Sequence, residues 1–421
     1  MSDLKRLLAI SWEMPPLSGP RAVQVTRLLR HLVPLGWAST VVCFGPRSNR
    51  YNQDYTVDPT EGTGGAIELV RVPSPEEWLF FRALWRVCPP IKRLPDEKSV
   101  WIGPALQAAR TRLAAEKFQA LVSFGQPWSD HLIGLQLHRE SRLPWVAHFS
   151  DPWTDSPYVR GFGWQRRMWE RMERDVAAHA TALVFQNEQT ADRTMAKYPD
   201  EWSNKVAIIP QGFDPLDARP AVPSPSSPTS GPLRIVYTGR FYPGVRTPEC
   251  VLDALSQLKA KGDLSGRVTL DVYGFPFQPY AVRSEELGLS NVVTFHGRVP
   301  PPEAQAAARQ ADILLVIDAP SDGPSLFLPS KLVDYLPLRK PILGVVPSEG
   351  PSADLLRALG YPVADPLDVP GIAAMLANAI EAHERGRLGV SAAHDFTARR
   401  FDIRETSRAF SVVLNDIVAA V

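Results

Sequence analysis

The sequence predicts an α/β protein made of two doubly wound, Rossmann-like halves, and three observations carry that prediction. Short apolar runs alternate with helical patterns along nearly the whole chain, which implies parallel sheets with both faces covered. At 421 residues the chain is longer than one core comfortably supports. The alternation is interrupted once, between Pro215 and Pro232, by a stretch holding six prolines and almost nothing apolar, and then restarts.

In the first half, strands are predicted at Leu7–Ser11, Thr40–Phe44, Ile67–Val72, Leu121–Ser123, Trp145–Phe149, Ala182–Phe185 and Val206–Ile209. Helical patterns fall between several of them, notably at Val23–Val33, Pro104–Ala115 and Trp164–Ala178. Beyond the prolines, strands are predicted at Leu233–Thr238, Val268–Tyr273, Val292–Phe295, Ile313–Ile317 and Ile342–Val345. Helices such as Val251–Lys259, Pro302–Gln310 and Ser352–Ala358 separate them. The expected division is an N-terminal domain over 1–214, a linker over 215–232 and a C-terminal domain over 233–395. A last helix over 396–421 could pack back on the first domain. Two such halves would bring the C-terminal ends of both sheets across a central cleft, where ligands bind in doubly wound folds.

Composition narrows the class. Hydrophobic residues at 44% and charged residues at 22% are ordinary for a globular chain. With 46 basic against 45 acidic side chains, bulk charge favours no polyanionic partner, and nucleic acid is not among the partners expected. Cys43, Cys88 and Cys250 are too far apart for a zinc site or a disulfide framework, which points to a reducing, cytoplasmic setting. The first apolar run reads as a buried strand and is too short for a signal peptide, and no run approaches the roughly 20 residues needed to span a bilayer. Any membrane contact would be peripheral. Two aromatic–basic stretches, Trp78–Arg86 continuing to Ile91–Arg93, and Trp164–Trp169, suit such a contact as well as they suit core-facing aromatics rimmed by arginine.

The chemistry gathers where strands end. From Leu326 to Val345 the chain reads as loop, short helix opening near Ser330, turn and buried strand. Ser330 can cap the first free amides, and those amides with Lys331 suit a phosphate. Asp334, one turn on, could accept two hydrogen bonds from a ribose diol. Phosphate and sugar groups together make a nucleotide-shaped constellation.

After the first strand, Trp12–Arg21 holds Pro16, Gly19 and Arg21. Gly19 permits close approach of backbone to a ligand, but there is no Gly-x-Gly-x-x-Gly fingerprint of a dehydrogenase. His148 and Asp151, in His148–Trp153, follow a strand and could contact a substrate hydroxyl, a leaving group or an acceptor. After the prolines, Gly239, Arg240 and Arg246 share one loop, and guanidinium forks match diphosphate oxygens. The later loops Gly274–Gln278 and Gly297–Pro300, the second carrying Arg298, lie on the same expected edge and could serve the base side of the donor. No Asp-x-Asp and no His/Cys/carboxylate cluster of metal-ligand spacing occurs, so no metal and no cofactor are expected.

Taken in order, these segments resemble the GT-B glycosyltransferases, specifically the large retaining family 4 and its bacterial relatives in surface polysaccharide synthesis. The resemblance is carried by Pro15-Pro16-x-x-Gly19, Phe149–Trp153, Val206–Asp214 (with Gln211 where the family usually has Asn), Gly239-Arg240 and Pro329–Leu336. It implies transfer of a sugar from a nucleotide-diphosphate sugar to a hydroxyl acceptor, a glycan or lipid-linked glycan, with retention and without a metal. By the same resemblance Arg240 and Arg246 (or Lys331) neutralise the donor diphosphate, Asp334 binds the ribose and His148 contacts the sugar. Asp151, Pro16, Arg21 and Trp153 then belong to catalysis and the acceptor side. Domain closure over the linker would bring donor and acceptor together. One position departs: the family's Glu that contacts the transferred sugar falls at Leu326. That departure leaves room for a catalytically silent nucleotide-binding scaffold, and the fold also serves nucleotide-sugar epimerases.

Overall fold

A computed structural model of the chain describes residues 4–47, 53–55, 57–77, 94–156, 161–215 and 231–420. The chain divides into two compact units, one formed by Met1–Gly212 with Ile403–Val421 and the other by Phe213–Asp402. Both are α/β.

The first unit is built on seven parallel strands: β1 (Lys5–Ile10), β2 (Trp37–Phe44), β3 (Ile67–Val72), β4 (Ala120–Gly125), β5 (Trp145–Phe149), β6 (Ala182–Phe185) and β7 (Val206–Ile208). Their spatial order is β3-β2-β1-β4-β5-β6-β7, so the winding reverses between β1 and β4. The predicted strands agree with these, and β4 is longer at both ends. The crossovers carry α1 (Pro20–Leu32), α2 (Ile102–Ala115), α3 (Ser129–Ser141), α4 (Gly163–His179) and α5 (Glu188–Met195).

The second unit repeats the plan with six strands: β8 (Leu233–Thr238), β9 (Val268–Tyr273), β10 (Val293–Gly297), β11 (Ile313–Ile317), β12 (Ile342–Val345) and the two-residue β13 (Val363–Ala364). Their order is β10-β9-β8-β11-β12-β13, with the reversal between β8 and β11. Its helices are α6 (Glu249–Lys261), α7 (Gln278–Glu286), α8 (Pro301–Gln310), α9 (Ser330–Tyr335), α10 (Pro351–Ala358), α11 (Val369–Glu384) and α12 (His394–Ala398). Central strands such as Ile313–Ile317 are buried throughout, as a sheet covered on both faces requires.

The terminal helix, α13 (Ile403–Ala419), opens later than the expected Phe396. Phe396 is 86% exposed and sits in α12, whereas the apolar period that faces a core begins at Ile403. Phe410, Leu414 and Ile417 of α13 join Val25, Leu28 and Leu29 of α1 in one cluster over the first sheet. Burial of each such side chain contributes roughly 1.5–3 kcal/mol. The chain therefore crosses between units twice, at 212–213 and 402–403, where the sequence reading placed the edges at 214–215 and 395–396. Most of the Pro-rich segment and the stretch 78–93, with the first aromatic–basic run and Cys88, lie outside the described residues.

Candidate active site

In doubly wound sheets ligands bind beyond the strand ends at the winding reversal. Each unit places sequence-predicted residues there.

In the first unit, Gly19 is the extended N-cap of α1 and Pro20 its first residue. The space against Gly19 is filled: a Cβ there would overlap the Glu13 carboxylate. Glu13 accepts a hydrogen bond from the Ala22 amide, so it occupies the anion-favouring first turn of the helix. Burial raises its pKa, opposed by Arg21 and Lys98. Glu13 was not singled out in the sequence.

Arg21 turns inward and is buried. Its Nη2 donates to His148 Nδ1 at 3.0 Å and to the His148 carbonyl at 3.1 Å, while Nη1 donates to Gln24 at 3.3 Å. Burial lowers the Arg21 pKa to about 10, against the opposing pull of Asp151, Asp130 and Glu13. Since a guanidinium only donates, His148 Nδ1 accepts and the ring proton lies on Nε2. Burial and then the Arg21 charge hold the His148 pKa well below the usual imidazole value, so the ring is neutral. Among the described residues Nε2 has no partner. The ring borders a pocket within this unit, lined also by Arg21, Gln24, Gln186, Gln211 and Phe410.

Asp151 accepts from Ser150 Oγ at 2.8 Å and Gln126 Nε2 at 3.2 Å, and burial raises its pKa. The loop that carries it is pinned from behind by Glu173 of α4, whose side chain is fully buried. Glu173 accepts from the Thr154 amide at 2.8 Å, Thr154 Oγ1 at 3.0 Å, Tyr198 at 2.6 Å and Lys197 Nζ. Trp153 does not stand at the site. It is 1% exposed and stacked on Trp128 at 5.0 Å, which makes it a core aromatic and not an acceptor contact. Pro16 follows a cis peptide bond and is half-buried; its carbonyl receives the Asp54 amide at 2.6 Å.

The second unit assembles a basic cluster around Gly239. Lys331, the second residue of α9, donates from Nζ to Tyr237 OH at 2.6 Å and stands 3.9 Å from that ring's centroid. A Cβ on Gly239 would lie 2.9 Å from Lys331 Cε and overlap Nζ, and Gly239 has φ +144°. Only glycine suits both demands. Arg246 donates to the Arg240 carbonyl at 3.1 Å and lies 3.8 Å from the buried Asp318. Burial holds the Lys331 pKa well below the usual amine value; Arg246 lowers it further and Asp318 opposes. The Asp318 carboxyl is pushed up by burial despite an amide bond from Ala319 and both cations.

Arg240 and Arg298 are exposed and share one ring: each guanidinium lies 5.3 Å from the Phe275 centroid. Arg240 and Arg246 likewise flank Tyr242, at 5.2 and 4.9 Å. Aromatic faces thus space three guanidinium groups that would otherwise repel. Ser330 is the first residue of α9 but does not cap it; Pro329 takes the cap position and no side-chain cap bond forms. Proline at that point fixes the entry angle, so the serine falls one place inside. Asp334 is exposed one turn beyond Ser330. Leu326, half-buried, lies in the preceding loop. Tyr237, Tyr242, Phe275 and Asp318 were not anticipated; a buried strand tyrosine carries no local mark of its partner 94 residues away. Among the described residues no group of three or more His, Cys, Asp or Glu could hold a metal ion.

Residues 21–212 match the model of the glycosyl transferase 4-like domain. Sucrose-phosphate synthase from Thermosynechococcus elongatus superposes with a TM-score of 0.70 at 14% identity, covering 99% of this chain and 100% of its own. Anabaena HepE, solved in complex with UDP, gives 0.65 at 16%, covering 98% and 100%. WaaG, a glycosyltransferase involved in lipopolysaccharide biosynthesis, gives 0.61 at 15%, covering 97% and 99%. No curated protein matches the chain in sequence. The fold is that of the GT-B glycosyltransferases. The protein thus has the GT-B fold and, within its first unit, a match to the glycosyl transferase 4-like domain.

Proposed function

We propose that this enzyme moves a sugar from a nucleoside-diphosphate sugar to a hydroxyl of a glycan or lipid-linked glycan, with retention and without a metal. The observation that carries the donor half is the gathering of Lys331, Arg246 and Arg240 about Gly239 at the winding reversal of the second unit. Cations placed in advance stabilise charge as it builds on the departing diphosphate, and they do so most in the transition state. Asp334, one turn along α9, is the proposed ribose ligand. His148, neutral with its proton on Nε2, is suited to donate a hydrogen bond to a sugar hydroxyl, and Asp151 to orient an acceptor. UDP is the first donor nucleotide to test, because HepE was solved with it.

A surface acceptor fits a peripheral membrane site, at the inner face of the cytoplasmic membrane in this proposal. Phe162 is 62% and Trp164 43% exposed at the start of α4, beside exposed Arg166 and Arg167, whereas Trp169 of the same run is buried. Among the described residues no helix is long and apolar enough to cross a membrane. Co-sedimentation with anionic vesicles tests this contact, and no binding removes it.

The donor is tested by thermal shift with UDP, GDP, ADP, CMP and NAD, without added metal. At 100 times its Kd a ligand stabilises by roughly 2.7 kcal/mol. A shift with one nucleoside diphosphate, lost in Arg240→Ala, supports the reading. A nucleotide bound with no turnover across many donors and acceptors would favour a scaffold, for which Leu326 in place of the sugar-contacting Glu is the motive.

A further inference from the structure

We propose that Tyr237 is the positioning residue for Lys331, holding its ammonium above the Gly239 backbone so that a diphosphate meets a cation already in place. The inference rests on the donor reading above and names a residue which that reading does not require.

A lysine side chain is a long, flexible stem that ordinarily samples many rotamers. Here the stem is held from three sides. The Tyr237 hydroxyl accepts from Nζ at 2.6 Å, its ring lies under the ammonium at 3.9 Å, and the missing Cβ of Gly239 leaves the slot that Nζ fills. Tyr237 is itself immobilised, fully buried and stacked on Phe241 at 4.9 Å with 4° between the rings. A reciprocal bond closes the clasp. Tyr335, one turn after Lys331 on α9, receives the Thr238 amide at 3.0 Å and lies 3.0 Å from Thr238 Oγ1. Thus β8 sends a phenol to α9, and α9 sends one back to the next residue of β8.

The charges around Nζ explain why a holder is needed. Arg246 repels the ammonium and Asp318 attracts it from deeper in the unit. Without the phenol, that balance would draw Lys331 toward Asp318 or out to water, and either move empties the place over Gly239.

The test is calorimetric titration of the full chain with inorganic pyrophosphate and with UDP. Tyr237→Phe keeps the stacked ring and removes only the hydroxyl, and we expect about tenfold weaker binding of both probes, as for one hydrogen bond to a charged group. Lys331→Met should weaken binding further, and Tyr237→Phe added to Lys331→Met should cost nothing more. Equal losses with and without the lysine would show a merely structural phenol and overturn the proposal. Should Tyr237→Phe fail to fold, Lys331→Arg decides: a planar guanidinium does not fit the slot, so binding should weaken, and wild-type affinity would overturn the proposal. If wild type binds neither probe, or Lys331→Met leaves affinity unchanged, the donor reading itself falls. If Lys331→Met weakens binding and Tyr237→Phe does not, only the positioning role falls.

Discussion

Arg21 Nη2 donates to His148 Nδ1 at 3.0 Å, so a buried cation sets the tautomer of the histidine beside it. Burial, and then this neighbouring charge, keep that imidazole neutral. Replacing Arg21 with Leu should free the tautomer and remove the charge's share of the shift: the His148 pKa rises, though burial still holds it below the ordinary value, and the ring can flip its proton. The expected loss in kcat/KM at pH 7 is on the order of tenfold, about 1.4 kcal/mol. An NMR titration of the His148 ring reads the cause directly, and an unmoved titration would sever the link.

Gly239→Ala tests the crowding at the basic cluster. The methyl group would displace the Lys331 ammonium, and φ +144° disfavours any side chain. The strain amounts to about 1–3 kcal/mol. Weaker nucleoside-diphosphate binding, with a melting temperature lower by a few degrees, is the expected result. A variant that binds and melts like wild type would show that Lys331 finds the same place by another path.

Glu173 anchors the loop that carries Asp151 although it touches no proposed substrate. Glu173→Ala leaves Lys197 without one of its carboxylates and orphans the Thr154 amide. Breaking a buried pair on one side destabilises by roughly 3–5 kcal/mol. Urea unfolding should show the loss, and a change under 1 kcal/mol would mean that water replaces the carboxylate.

His131 predicts how stability depends on pH. Its Nδ1 lies 2.8 Å from Ser123 Oγ, which also receives the Trp145 indole at 2.9 Å, and burial lowers its pKa to about 3. A folded-state value below the unfolded 6.5 means that the unfolded chain binds the proton first. The contribution is therefore intact above about pH 6.5 and is lost progressively as pH falls toward 3, reaching roughly 3 kcal/mol by pH 4. Buried carboxylates with raised pKa values, such as Asp130 and Asp151, act in the opposite direction. The comparison that isolates the histidine is wild type against His131→Leu, whose stability should fall less between pH 7 and pH 4. Parallel curves would exclude His131.

Much of the fold was legible because buried parallel strands are short, apolar and bounded by polar residues. Ile67–Val72, Trp145–Phe149, Ala182–Phe185 and Leu233–Thr238 stand where their composition places them. The two-residue β13 is too short to leave a pattern, and the start of α13 was obscured by the apolar but exposed Phe396. At the site, residues with a local signature (Gly239, Lys331, His148) were found. Their holders were not. Tyr237 beneath Lys331 and Asp318 opposite Arg246 are pairings across long stretches of chain, and nothing in the immediate neighbourhood of either partner records them. Glu13 stands close to Gly19 in the same loop, but only the folded turn brings its carboxylate against that glycine. Trp153 shows the converse: a conspicuous local motif placed an aromatic at the acceptor, and core stacking claimed it.

Because the first unit is completed by Ile403–Val421, its assembly runs against the order of synthesis. Growth from the N-terminus yields all seven strands of its sheet, and then the whole second unit, before α13 emerges. Until then the surface formed by Val25, Leu28 and Leu29 lacks its cover of Phe410, Leu414 and Ile417. A nascent chain thus holds an open apolar face for the time needed to translate some 190 residues, Phe213 to Asp402. Chains terminated in that interval carry a finished second unit and an unfinished first one, a species for chaperones or proteases to clear.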